Sequence, residues 1–163
     1  MAASQHVEVT DVWTASGKPY LVCPGGMDTG ALQFIDRQYT FGEMPEYVMN
    51  QTYIRTAGDD KMYEEDQPCM SFMSPRDVNV YILHGMPFLA LPAWLRSFRD
   101  TGDVVTRPVS EDPRGMRFRV LVKAFLAGKI VLRGDLPQGM LTPQFRASGG
   151  AGFCMYSVVV APR

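Results

Sequence analysis

The side chains able to carry out covalent or acid–base chemistry are few and far apart. The chain has two histidines, His6 and His84, and three cysteines, Cys23, Cys69 and Cys154. A nucleophilic thiol needs a base within reach of its proton. His84 ends an apolar-faced run, and its ordinary role is that of a core or turn histidine with a satisfied hydrogen bond. Asp59 and Asp60 open an acidic stretch that runs to Asp66. Adjacent residues in an extended segment point to opposite faces, so they do not converge across the ~5–9 Å that a glycosidase's two carboxylates need. The graded oxygen spacing of a calcium loop is also missing. We expect instead a charged turn, in which an aspartate bonds its own loop and Lys61 pairs with an aspartate. The three cysteines form no CxxC or Cys/His pattern for zinc. No Gly-rich phosphate loop, GxSxG or HExxH occurs. Arg107, Arg114, Arg117 and Arg119 are able to hold phosphate or carboxylate, but lack the interleaved aromatics of a single-strand binder. This inventory predicts a protein that is not an enzyme and has no cofactor and no metal.

Composition narrows the partners. A formal net charge of -1 and a pI near 6.1 provide no basic field for nucleic acid. No apolar run approaches the ~18 residues of a membrane span. Charge is unevenly spread: residues 1–95 carry 5 basic against 12 acidic side chains, and residues 96–133 carry 9 against 4. Such halves offer complementary patches to a partner or to a second copy of the chain. The odd cysteine count and the lack of a leader-like start predict reduced thiols and a cytoplasmic location. The 11 methionines supply adaptable apolar surface, mostly to the core.

The elements that must position these groups are short. Fifteen Gly and 12 Pro fall between brief apolar runs, which favours strands and turns. Strands are expected at 7–13, 19–23, 38–41, 51–56, 69–73, 77–84, 103–107, 116–125, 129–133 and 153–160. In 116–125, Met116, Phe118, Val120, Val122 and Ala124 alternate with Arg117, Arg119 and Lys123. Val158, Val159 and Val160 are apolar on both faces, as in a central strand. Residues 92–98 read as a short helical turn opened by Pro92, and 134–152 as a long loop. The prediction is one all-β domain over 1–163: an antiparallel, jelly-roll-like sandwich of about ten strands.

Four segments in order carry a resemblance. They are Glu46–Lys61 with its Tyr53-Ile54-Arg55-Thr56-Ala57-Gly58-Asp59-Asp60-Lys61 core, Ser71-Phe72 with Asp77–Ile82, Leu91–Leu95 with Asp100-Thr101-Gly102, and Phe125–Leu132 with Tyr156–Val160. This order resembles an accessory β-sandwich module found beside catalytic domains in secreted bacterial polysaccharide-degrading enzymes, over about residues 36–160. The sequence departs from that pattern at Ile82-Leu83-His84-Gly85 and at Leu132-Arg133-Gly134-Asp135. The resemblance implies a sandwich with a binding role, for carbohydrate in particular, and no catalytic residues.

Candidate ligand residues follow from strand alternation. If the strands at Gln51, Asp77 and Met116 share a sheet, Tyr53, Arg55, Asn79, Tyr81, Arg117, Arg119 and Lys123 present one surface of flat rings and hydrogen-bonding groups. Trp94 joins them as a sugar platform if exposed, and otherwise plugs one end of the sandwich. Trp13 poses the same question. The function expected is a non-catalytic binding or adaptor module with a protein partner. The alternative is a carbohydrate-binding module.

Overall fold

The computed structural model describes residues 6–86, 90–108, 110–112, 116–140, 142–150 and 153–163. Arg114 and parts of the 134–152 segment lie outside them. Among the described residues, nine strands form two antiparallel sheets. β1 (Thr10–Thr14), β4 (Pro68–Ser74) and β8 (Gly128–Arg133) form a three-stranded sheet in the order β1-β4-β8. The second sheet has the order β2-β3-β9-β5-β7-β6, built from β2 (Leu21–Cys23), β3 (Thr52–Arg55), β9 (Ser157–Pro162), β5 (Val78–Gly85), β7 (Arg117–Phe125) and β6 (Arg99–Thr106). No helix among the described residues is long and apolar enough to cross a membrane.

The expected strand at 38–41 does not form. That segment makes a single bridge, Leu32 with Thr40, inside a longer covering loop. The expected loop at 134–152 contains a short helix, α1 (Pro143–Ala147), capped by the Thr142 hydroxyl accepting from Phe145 N. The helical turn opened by Pro92 is a 3-10 turn over Ala93–Ser97.

The core has two parts because the six-stranded sheet is covered on both faces. Ile54, Val80, Ile82, Leu121, Val158 and Val160 meet Met70, Phe72, Ile130 and Leu132 of the small sheet. On the opposite face, Tyr53, Tyr81, Leu83, Phe118, Val120 and Val159 lie beneath Met27, Phe41 and Val48 from the 27–48 segment. The central run Val158–Val160 is apolar throughout because each of its faces is buried. Among the described residues the small sheet has no such second cover: Lys129, Val131 and Arg133 of β8 alternate outward between buried Ile130 and Leu132.

Candidate functional site

The uncovered face of the small sheet centres on Trp13. Regular pairing from Thr10 opposite Met73 would set Trp13 opposite Met70, which is wholly buried. A bulge between Thr10 and Trp13 adds one residue, with Asp11 in the left-handed region at φ 53°. Trp13 therefore pairs with Ser71 and turns outward, since a one-residue shift exchanges the faces of a strand. Ser71 in turn pairs with Val131, so Trp13, Ser71 and Val131 form one row across three strands. Met73 and Lys129 form the next row. Trp13 is 49% exposed and Val131 44%. With Asp11 and Pro68 they bound a concavity of about 700 Å³. The surface is an indole and aliphatic floor rimmed by the Asp11 carboxylate and the Lys129 ammonium group, with Ser71 nearly covered between Trp13 and Val131, a composition that stacks on a sugar ring while bonding its hydroxyls.

The expected joint surface of tyrosines and arginines does not form. Tyr81 pairs with Val122, and His84 with Arg119, so Arg117, Arg119 and Lys123 lie on the opposite face from Tyr53, Arg55, Asn79 and Tyr81. Tyr53 is buried and its hydroxyl donates to Leu32 O at 2.7 Å; burial also raises its pKa. Arg55 donates to Phe34 O at 2.9 Å, and both groups fasten the covering segment to the sheet. Arg117 is exposed, while Arg119 donates to Met86 O at 3.2 Å. Asn79 is half-buried, and Tyr81 is buried in the second part of the core.

Trp94 is a half-buried end plug. Its Nε1 donates to Gly134 O at 2.9 Å, and its ring meets Phe98 and Tyr156 edge-on at 5.7 and 5.5 Å. Arg107 is also structural: its guanidinium lies 3.7 Å from the Tyr39 ring centroid and donates to buried Gln33 at 3.1 Å.

Of the groups considered for catalysis, Asp60, Cys69 and His84 are built into the interior. Asp60 is buried and accepts from Ser16 at 2.7 Å, Lys18 at 3.1 Å and Tyr20 at 2.5 Å. Its cation is Lys18, and Lys61 donates to Gly150 O instead. Asp59 points outward to Arg37, whose guanidinium holds that carboxyl below its ordinary range. Cys69 is buried beside Tyr20 and Tyr156, and burial pushes its thiol up to about 12, far from a reactive thiolate. His84 Nε2 stands 3.2 Å from Asp135 Oδ1, without the alignment of a hydrogen bond. Both residues are sealed from solvent, so neither meets a substrate.

Sequence alternation alone missed the Trp13 face because Val7, Val9, Asp11 and Trp13 share one parity, and Val7 and Val9 are buried. The acidic Asp11 at an inward parity was the available signal of a bulge.

No protein-family model matches the chain. A curated protein named beta-glucuronidase, from Formosa agariphila, is 30% identical over 94 residues, which is 57% of this chain and 9% of that protein. A solved beta-glucuronidase from glycoside hydrolase family 2 overlays 93% of this chain on 14% of its own, with a TM-score of 0.69 and 20% identity, and so shares its fold over that region. A GH138 enzyme targeting pectin rhamnogalacturonan II overlays more loosely, with a TM-score of 0.45 and 10% identity. The chain is a β-rich module resembling accessory domains of glycoside hydrolases.

Proposed function

We propose that this chain is a non-catalytic accessory module that holds a glycan on the Trp13 face of its small sheet. The observation that carries the reading is an indole turned outward by a bulge and set in a row with Ser71 and Val131. Exposing about half of a tryptophan forgoes a large burial gain, so a fold that turns it out gains nothing from it internally. Asp11 and Lys129 at the rim supply an acceptor and a donor for ring hydroxyls. Similarity to beta-glucuronidases over only 9% and 14% of their lengths supports an accessory role and a sugar as ligand class.

Affinity electrophoresis through gels containing soluble polysaccharides tests the reading. At least one polysaccharide is expected to retard the protein, and Trp13→Ala to abolish that retardation. Equal mobility of the two proteins in every gel overturns it.

The same apolar row also favours a second reading, in which the face packs on another protein domain. Sedimentation that shows Trp13-dependent association with a neighbouring domain, and no sugar response, would select it.

A further inference from the structure

Among the described residues the two sheets end in four edge strands, and three of these are blunted. β1 carries the bulge at Asp11, and β2 spans only Leu21–Cys23. The pairing of β6 breaks between Asp100 and Val104, around Gly102 with its φ of 83°. Such features keep an edge from pairing with another chain. The β8 strand itself has none of them. Its pairing runs unbroken from Gly128 opposite Ser74 to Leu132 opposite Met70. No strand lies on its other side among the described residues.

The backbone of β8 presents hydrogen-bonding groups on that free side. Gly134 N donates to Gln67 O at 2.9 Å, toward β4. Successive residues of a strand point their N–H and C=O groups to alternate sides. Ile130 and Leu132 therefore bond to β4, and Lys129 and Val131 turn their backbone groups to the open edge. Arg133 shares their direction, and the Tyr156 hydroxyl donates to its carbonyl at 2.8 Å, which closes the edge at that end. Exposure agrees with this assignment: Lys129, Val131 and Arg133 are exposed, whereas Ile130 and Leu132 are sealed.

The side chains along the edge restrict what pairs with it. Lys129, Val131 and Arg133 form one outward row, a cation on either side of an exposed valine. Neither cation makes an ion pair among the described residues. Arg133 donates to the backbone Asp66 O at 2.9 Å, and Asp11 shares the face but stands two strands away, across β4. A second copy paired antiparallel about Val131 would set Lys129 against Arg133, like charge against like. We propose that the β8 edge takes an added strand from a partner polypeptide: an extended segment with a carboxylate opposite each of Lys129 and Arg133 and an apolar side chain opposite Val131. Main-chain bonds from Lys129 and Val131 hold the segment, and the two charge pairs select it.

The test is an amide-shift titration of the labelled protein with two capped peptides, Thr-Glu-Thr-Val-Thr-Glu-Thr and the same sequence with lysine in place of both glutamates. The acidic peptide is expected to shift the Lys129 and Val131 amides saturably and to slow their hydrogen exchange, because both gain a carbonyl partner. It should bind roughly tenfold more tightly than the lysine peptide, from two favourable cross-strand pairs against two unfavourable ones. The double variant Lys129→Glu, Arg133→Glu should reverse that preference, a result that loss of folding does not imitate. No saturable shift at these amides overturns the proposal. So does equal binding of the two peptides, or a preference that the double variant leaves unchanged. Shifts of the same amides with protein concentration alone would place a second copy on the edge and overturn it too.

Discussion

Trp13 pairs with Ser71 where an unbroken ladder would pair it with Met70, and that offset of one residue decides which side of the sandwich its indole occupies. The small sheet consequently shows the surroundings an aromatic platform, while Trp94, the other tryptophan, is engaged in hydrogen bonding and ring contacts.

The two tryptophans should therefore separate in a quenching experiment. Iodide is expected to reach Trp13 and leave Trp94 largely protected, so Trp94→Phe should keep the quenchable fraction and Trp13→Phe should remove it. Equal quenching of both single-tryptophan proteins contradicts the assignment.

Trp94→Ala should cost about 3 kcal/mol of stability, since it empties the space between Phe98 and Tyr156 and leaves Gly134 O without its donor. Trp94→Phe restores part of the volume and should recover part of that loss. Urea unfolding of the three proteins gives the comparison.

Gly134 tolerates no side chain. A β-carbon there would stand 2.0 Å from Glu64 O and 2.3 Å from Tyr63 O, backbone atoms that accept from Gln67 N and Leu136 N respectively. Gly134→Ala should destabilise the fold by roughly 3 kcal/mol or more, because backbone has to move. A melting temperature within a degree or two of the parent would show that the crossing is loose.

Cys69 should be the last thiol to react. Burial raises its pKa to about 12, and its sulfur is covered, whereas Cys23 and Cys154 are partly exposed. Mass spectrometry after timed iodoacetamide treatment at pH 8 is expected to show Cys69 modified only on unfolding. Early modification of Cys69 in the folded protein refutes this.

Asp135 gives the stability a pH signature. Burial raises its pKa above the ordinary 3.8, and the His84 imidazole opposes that shift without cancelling it. A carboxyl with a raised folded-state pKa binds its proton more tightly when folded. Its contribution is complete below the unfolded value and is lost as pH rises through the folded one. Relative to Asp135→Asn, the parent should lose stability as pH climbs from the ordinary carboxylate range. Parallel stability profiles for the two proteins would remove Asp135 as the cause.

Local pattern was enough to place most strands. Alternation in 116–125 and 129–133, and the turn opened by Pro92, report interactions between near neighbours in sequence, and the structure places strands and a 3-10 turn there. The 38–41 segment has strand-like residues, yet its hydrogen bonds go to a covering loop that exists only because Met27, Phe41 and Val48 close over the large sheet. That cover also turned Tyr53 from a candidate surface residue into an interior one.

The sequence by itself determined an all-β chain with an apolar central strand. Tertiary structure decided which side chains share a face. A strand's own alternation is relative, and only its pairing partners assign the two faces. The β5–β7 register parted Tyr81 from Arg117 and Arg119 and joined it to Arg99. A single extra residue in β1 moved Trp13 from the parity of Val9 to the open face, a choice made by the ladder it pairs with.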